Sequence, residues 1–181
     1  GPARVAGGIL AARPRRPAMF SLATPAPALG KPALHALLLE QARALLAGER
    51  DPVANAANLA SLVFHTLPDL NWAGFYWAKE GELVLGPFQG KPACVRIAPG
   101  RGVCGTAFAR GKTVVVPDVH AFPGHIACDG ASRSEIVVPV AKDGRVLGVL
   151  DLDSPLPGRF DDDDAKGLEA LVAAFAEMTG L

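Results

Sequence analysis

Three cysteines, the residue type best suited to thiol redox chemistry, lie in one window of the chain. Cys94, Cys104 and Cys128 are its only cysteines, and turn-forming or charged residues flank each of them. Cysteines that serve only for packing are usually buried among apolar neighbours. Because these three lie in polar, loop-like sequence, they predict a redox-active site rather than a packing role.

The cysteine count also bears on the compartment and on metal binding. An odd number argues against a secreted disulfide framework, in which all cysteines would normally pair, so we expect a cytoplasmic protein. A zinc site is the competing use, because His120 and His125 lie close in sequence to Cys104 and Cys128. No C-x-x-C pair opens a structural site, so redox use is favoured, and we expect neither a metal nor another cofactor.

Composition and charge describe one domain with no general attraction to polyanions. The chain has 181 residues, of which 50% are hydrophobic and 20% are charged, as is typical of a domain with a sizeable core. Its 18 basic and 18 acidic residues cancel. No apolar run approaches the ~20 residues of a membrane-spanning helix. We therefore expect neither a nucleic-acid nor a membrane partner.

The first 32 residues differ in composition from the rest. They are rich in Ala, Pro and Arg and contain no acidic residue, and Gly1 and Pro2 resemble a protease scar. Residues 1–32 are interpreted as a disordered, tag-derived or native extension, with Met19 as a candidate start. A transit peptide for an organelle is the alternative, since such peptides are Arg-rich and acid-poor. The domain is placed at residues 33–181.

Turn signals and hydrophobic patterning divide that domain into helices and hairpins. Helices are predicted at 33–47, 51–67, 102–110 and 161–180, and strands at 71–78, 82–88, 93–97, 113–116, 134–141 and 145–152. The aspartates at 161–164 favour the positive end of a helix dipole, and we assign them no metal. Residues 117–133 form a loop of a length that is usually functional or disordered. Consecutive hairpins predict an α+β domain, with a central antiparallel sheet and helices on one face.

Three carboxylates lie on predicted core strands, where an unpaired acid is costly to bury and often marks a site. One of them is Glu135. The other two, Asp151 and Asp153, are two residues apart, so on a regular strand they share one face while Leu150 and Leu152 share the other. A strand-end pair that caps the following loop is the alternative that these residues leave open.

Two aromatic residues share a strand face in the same way. Trp72 and Tyr76 are four residues apart, and Phe75 and Trp77 point to the opposite face. The first pair could form the apolar wall of a ligand site. Ordinary core packing explains the pattern as well, so the residues alone do not decide between the two interpretations.

Five segments together carry a family resemblance. They are 71–77 (NWAGFYW), 86–90 (GPFQG), 100–105 (GRGVCG), 134–139 (SEIVVP) and 148–154 (GVLDLDS). Over about residues 33–180 the series resembles the free methionine-(R)-sulfoxide reductases, a catalytic branch of the GAF-domain superfamily. The aromatic run and the three cysteine positions make the match specific. The resemblance implies a GAF fold, with helices on one face of the antiparallel sheet and a loop-covered pocket on the other.

The resemblance also implies an activity, the thioredoxin-dependent reduction of free L-methionine-(R)-sulfoxide to L-methionine through a sulfenic acid and an intramolecular disulfide. By position, Cys128 corresponds to the attacking cysteine, Cys104 to the usual resolving cysteine, and Cys94 to a second one that can exchange the disulfide. Thioredoxin is the implied partner, and a homodimer is compatible with the family. The pocket residues of the family correspond to Trp72, Tyr76, Glu135, Asp151 and Asp153.

Thiol-dependent sulfoxide reduction needs a thiolate to attack sulfur and an acid to protonate the departing oxygen. We expect Glu135 and Asp153 nearest the sulfoxide and Asp151 in support, with one carboxylate pairing with the substrate ammonium. Because Cys104 lies near the start of a predicted helix, the helix dipole should favour its thiolate. For Cys128, neighbouring basic and acidic residues act in opposite directions.

Two other classes of function compete with this one. A non-catalytic GAF module that senses a small ligand is the alternative, although a sensor has no need of three loop cysteines. A structural zinc protein is the third class, and elemental analysis would identify it.

Overall fold

An antiparallel sheet forms the centre of the fold. The computed structural model describes residues 29–125 and 129–181. Within them, six strands lie in the order β3-β2-β1-β6-β5-β4, and every neighbouring pair is antiparallel. The strands are β1 (Trp72–Lys79), β2 (Glu82–Gly90), β3 (Arg96–Ile97), β4 (Val114–Val116), β5 (Ser134–Lys142) and β6 (Arg145–Ser154).

Four α-helices accompany the sheet, and local sequence signals set several of their ends. They are α1 (Lys31–Leu46), α2 (Pro52–Thr66), α3 (Gly102–Arg110) and α4 (Asp162–Met178). The Asp51 carboxylate accepts the Ala54 N–H at 2.8 Å and begins α2. Gly111 ends α3 in the left-handed conformation, with φ 61°. The side chain of Asp161 caps α4, so the predicted dipole role of the acidic run becomes a capping role as well.

The larger core lies between the sheet and helices α1, α2 and α4. Side chains of β1, β5 and β6 point to this face, and Phe75, Ile136 and Leu150 are fully buried there. Phe75 stacks on Trp77 at 5.3 Å between ring centroids and on Phe175 of α4 at 5.0 Å. The prediction that Phe75 and Trp77 are core residues is therefore confirmed.

The smaller core lies on the opposite face, beneath α3 and the loops. It contains Trp72, Tyr76, Val137 and Val149 from the sheet together with Cys104 from α3. The predicted α+β architecture, with an antiparallel sheet, a helical layer and a loop-covered face, is confirmed. Of the described α-helices, α1, α2 and α4 form the helical layer, and the short helix α3 lies on the loop-covered face. No helix in the described part of the chain is long and apolar enough to cross a bilayer.

The predicted hairpins form, but several boundaries differ. Strands β2 and β6 run two residues beyond the predicted ends, and the predicted strand at 93–97 is reduced to β3. The predicted loop at 117–133 contains one turn of 3₁₀ helix, Val119–Ala121. Helix α1 begins at Lys31, two residues before the predicted helix start at residue 33. Lys31 is held by ion pairs to Asp161 and Asp164. The interpretation of residues 1–28 lies outside the described residues.

Candidate active site

The strand register places predicted site residues in one row across the sheet. Trp72 of β1 lies opposite Asp153 of β6, and Asp153 lies opposite Glu135 of β5. Asp151 lies one step further along β6 on the same face, opposite Gly74 and Val137. Directly opposed residues have Cβ atoms about 4.5–5.5 Å apart. The hairpin of β5 and β6 and the sequence-distant strand β1 therefore bring an aromatic ring and three carboxylates together.

A cavity lies over this row. It has a volume of about 530 Å³, including the space open to solvent at its mouth. Sheet residues form its floor, residues 101–104 at the start of α3 form one side, and residues 91–93 after β2 form another. Trp72, Tyr76, Asp151 and Asp153 all line it, and Glu135 lies behind the lining. The predicted shared faces of the acidic pair and of the aromatic pair are both confirmed.

The aromatic wall is held in place by stacking and by hydrogen bonds to the loop after β2. Trp72 stacks on Phe88 at 5.4 Å and on Tyr76 at 5.9 Å, and its Nε1 donates to the Lys91 carbonyl at 3.1 Å. Gly74 makes this stacking possible, because a Cβ there would collide with both the Trp72 ring and the Phe88 side chain. The result is a rigid apolar surface opposite the acids.

The carboxylates are buried without the compensation that usually accompanies buried charge. Glu135 and Asp151 are each 6% exposed. Burial raises the pKa of Glu135, Asp151 and Asp153 well above their ordinary values, and the negative charge of a neighbouring carboxylate raises each further. The Ser132 hydroxyl acts in the opposite direction by hydrogen bonding to Asp153. A raised pKa favours the protonated form of each carboxyl, which is the form that can donate a proton.

Cys104 lies inside this acidic group, which corrects two expectations. Its thiol is buried in the smaller core rather than placed in a polar loop. The S–H donates to Oε1 of Glu135 at 3.9 Å. Burial, and then the charges of Asp151 and Glu135, raise the pKa of the Cys104 thiol well above its ordinary value. The expected thiolate at the start of α3 was therefore wrong, because desolvation and nearby negative charge outweigh the helix dipole.

The other two predicted cysteines differ in what can be said of them. Cys94 is half-buried in the segment between β2 and β3, and its carbonyl accepts the Tyr76 hydroxyl at 3.1 Å. Its neighbour Val95 is 64% exposed. Cys128 lies outside the described residues. The residues that flank that gap, His125 and Asp129, both line the cavity.

His125 is a cavity residue that the list of candidate site residues did not contain. Its Nε2 lies 3.6 Å from Oε2 of Glu135, and burial lowers its pKa from the ordinary 6.5. A neutral imidazole at neutral pH offers less charge to stabilise a nearby thiolate. Arg101 and Ser132 also line the cavity and were not predicted. Only the tertiary fold brings Arg101 and Ser132 to the cavity, so sequence spacing gave no signal for them, whereas the signal for His125 was its closeness in sequence to Cys128.

The mouth of the cavity is polar. Lys91 pairs with Asp129 at 3.2 Å across the opening, and the Asn71 amide donates to the Ser132 hydroxyl at 3.0 Å. The side chain of Lys91 is 70% exposed, so the pair is largely solvated. A compact ligand with an apolar methyl end and a polar end would fit between the aromatic wall and the acids.

Comparisons with known proteins agree with this geometry. The family profile described as "GAF domain" matches residues 53–178. The free methionine-R-sulfoxide reductase of Escherichia coli is 53% identical over 150 residues, which cover 83% of this chain and 91% of that protein. The protein of the same name from Saccharomyces cerevisiae is 49% identical over 132 residues, or 68% of this chain and 73% of that protein.

A solved structure extends the likeness to three dimensions. It is the free methionine-R-sulfoxide reductase of Neisseria meningitidis in complex with its substrate. It superposes with a TM-score of 0.84 at 48% sequence identity and covers 88% of this chain and 95% of that one.

Proposed function

This chain belongs to the GAF-domain family of free methionine-R-sulfoxide reductases, and from that premise we propose that it reduces free L-methionine-(R)-sulfoxide to L-methionine. The observation that carries the proposal is a cavity that Trp72 and Tyr76 line together with Asp151 and Asp153, with the Cys104 thiol beside them. The aromatic surface suits the methyl group on sulfur. The acids suit the sulfoxide oxygen and the ammonium of a free amino acid.

In the proposed first step, the Cys128 thiolate attacks the sulfoxide sulfur. The sulfur–oxygen bond of the substrate breaks, methionine leaves, and the oxygen remains on Cys128 as a sulfenic acid. The developing oxygen needs a proton. Glu135 and Asp153 are proposed as its sources, with Asp151 in support, because burial raises the pKa of all three carboxyls and so favours the form that carries a proton to donate.

In the second step, Cys104 is proposed to resolve the sulfenic acid. Its sulfur forms a disulfide with Cys128, and the sulfenic oxygen departs as water. A buried thiol with a raised pKa needs a base, and Glu135 is placed to serve because it already accepts the Cys104 S–H at 3.9 Å. Glu135, once it has given up its proton, would thus take one back from Cys104.

In the third step, a dithiol resets the enzyme. We propose that Cys94 exchanges into the disulfide and presents it to thioredoxin, whose two thiols are oxidised as the enzyme's thiols are restored. Cys94 suits this role because it is half-buried, whereas Cys104 is 4% exposed. A cytoplasmic location would supply thioredoxin and keep the thiols reduced. A homodimer remains part of the proposal, and sedimentation analysis would test it.

The test is a coupled assay with the full chain, thioredoxin, thioredoxin reductase and NADPH. Free methionine-(R)-sulfoxide should drive NADPH oxidation, whereas the S epimer and a peptide-linked sulfoxide should give little. Cys128→Ser should abolish turnover, and normal activity in that variant would refute the assignment of the attacking thiol. Cys94→Ser should slow the thioredoxin-driven reaction more than the same reaction driven by dithiothreitol. An equal effect with both reductants would count against Cys94 as the link to thioredoxin.

A further inference from the structure

Three side chains that can ligate a metal converge behind the cavity. The Cys104 sulfur and one oxygen each from Glu135 and Asp151 all lie within 4.8 Å of one another. All three residues are buried, and they come from α3, β5 and β6. A thiolate together with carboxylates is a donor set that Zn²⁺ accepts. Adjacent acids alone do not make a metal site. A buried polar atom that has no partner would be independent support for a bound ligand.

Asp151 supplies that support. Its Oδ1 is buried and has no hydrogen-bond partner among the described residues, and the side chain lines the cavity. Asp151 is only 6% exposed, so little water reaches this oxygen. A buried polar atom without a partner is costly, which points to a ligand that completes it. The neighbours that dominate the electrostatics of Asp151 are another carboxylate and a thiol, rather than a cation.

The interatomic distances are close to those of a tetrahedral zinc site. Usual zinc bond lengths place a sulfur and an oxygen ligand about 3.5 Å apart. The Cys104 sulfur lies 3.9 Å from Oε1 of Glu135. His125 approaches the same carboxylate from the loop side, with Nε2 at 3.6 Å from Oε2. An imidazole and an oxygen ligand lie about 3.3 Å apart in such a site. The Asp151 oxygen lies within 4.8 Å of the Cys104 and Glu135 donors, so side-chain shifts of up to about 1 Å would bring all the donors into range.

We infer that the reduced protein binds one Zn²⁺ reversibly through Cys104, Glu135 and Asp151, with His125 as a fourth ligand. Binding displaces the proton of the Cys104 thiol, and those of the carboxyls that carry one, into solvent. The site differs from a structural zinc centre, because its ligands line or back an open cavity. Oxidation of Cys104 to a disulfide removes the sulfur ligand, so the affinity depends on redox state.

A consequence for activity rests on the proposed function. Zn²⁺ and the ammonium of the substrate would bind the same carboxylates, so zinc should inhibit the reductase competitively with respect to methionine sulfoxide. The binding itself does not depend on which substrate the protein uses. A binding experiment without substrate therefore fails or succeeds independently of the reductase assay.

The experiment is isothermal titration of ZnCl₂ into the full chain kept reduced with a phosphine. One Zn²⁺ should bind per chain, and Cys104→Ser and Asp151→Asn should each weaken the affinity at least tenfold. Cys94→Ser is the matched thiol control and should bind as the wild type does. His125→Ala should weaken binding, whereas His120→Ala, at an exposed histidine, should not. Thermal melts of each variant verify that the protein is folded.

Cobalt substitution gives a second readout that does not depend on affinity alone. Co²⁺ in the wild-type site should show a thiolate-to-metal charge-transfer band, and Cys104→Ser should lack that band. The proposal is overturned if the reduced wild type shows no saturable binding, or if Cys104→Ser binds Zn²⁺ as tightly as the wild type. It is equally overturned if the charge-transfer band survives Cys104→Ser but disappears in Cys94→Ser.

Discussion

The molecule buries acids on both faces of its sheet, a group of three on the pocket side and the single residue Asp164 on the helical side, and their surroundings shift the pKa values in opposite directions. The pocket acids are Glu135, Asp151 and Asp153, whose nearest charged influences are one another. On the helical side, Asp164 of α4 is 1% exposed. It accepts from Arg159 Nη1 at 3.2 Å and contacts His35 Nε2 at 2.9 Å.

The cations on the helical side reverse the effect of burial. Lys31 of α1 completes the ion pairs of Asp164, and the set of Lys31, His35, Arg159 and Asp164 is called the α1–α4 network from here on. Burial alone would raise the pKa of Asp164, but hydrogen bonds from His35 and Lys31 and the charge of Arg159 lower it far below its ordinary value.

The contrast shows that burial does not determine the role of an acid, whereas its partners do. In the α1–α4 network the carboxylate is ionised and ties α1 to α4. In the pocket, burial and the neighbouring carboxylates raise the pKa of the acids, which favours their protonated forms. Acids of this second kind lower stability unless protonated and are common at functional sites. Substitutions in the α1–α4 network should therefore change stability, whereas substitutions of the pocket acids should change activity.

The largest effect is expected from removing the central charge of the α1–α4 network. Asp164→Asn leaves Arg159 and Lys31 without their shared partner, and breaking a buried ion pair in this way costs about 3 kcal/mol or more. Urea unfolding should show a correspondingly lower midpoint. The matched control is Asp163→Asn, an exposed residue in the same turn of α4 that should change the free energy of unfolding by less than about 0.5 kcal/mol. Similar losses in both variants would mean that charge near the helix start, rather than the network, matters.

A smaller loss of stability is expected from a substitution that crowds the α1–α4 network. Gly167 lies inside α4, and a Cβ there would overlap the His35 ring. Gly→Ala within a helix normally stabilises by about 1 kcal/mol. Here the overlap should turn that stabilisation into a destabilisation. We expect Gly167→Ala to lower the free energy of unfolding by about 2 kcal/mol, a size typical of overpacked cores. In a His35→Ala background the same change should be neutral or stabilising. If it remained destabilising there, contact with His35 would not be the cause.

The pocket should respond with a change in activity rather than a loss of stability. Asp151→Asn keeps the shape of the protonated acid, so its free energy of unfolding should stay within about 1 kcal/mol of the wild type. Turnover at low substrate should fall at least about tenfold, because a charged hydrogen bond to substrate is worth roughly 1.5–3 kcal/mol. Urea unfolding and the coupled reductase assay measure the two effects. A destabilisation as large as that of Asp164→Asn would show that the pocket acids are structural.

The sequence predicted the pocket better than the network, for a physical reason. Alternation along a strand is a local property, so the shared face of Asp151 and Asp153 followed from their spacing alone. The pairing of His35 with Asp164 depends on how two helices 129 positions apart in sequence cross, which no local pattern contains. The same limit explains Cys104, since its polar sequence neighbours gave no sign that α3 would place it against Glu135.

The smallest effect expected is a difference in how stability depends on pH. Acids with a raised pKa bind protons in the folded state before the unfolded state does, so their protonation raises stability as pH falls from 7 towards about 4, their unfolded pKa. Asp164 has a lowered pKa, so its contribution is present above about pH 4 and is lost as pH falls below that value.

The two groups should therefore produce opposite slopes in different pH ranges. His125, whose lowered pKa opposes the pocket acids between pH 7 and 5, contributes equally to the wild type and the variants, so the informative quantity is their difference. Relative to wild type, Asp151→Asn should lose part of the gain in stability between pH 7 and 4, and Asp164→Asn should show no such change there. Below pH 4 the Asp164→Asn variant is the one that should differ in slope from the wild type. The wild type loses the stabilisation by ionised Asp164 there, and Asp164→Asn already lacks it. Urea titrations at one-unit steps from pH 7 to 3 would measure this, and parallel curves for both variants would contradict the division between the two acidic groups.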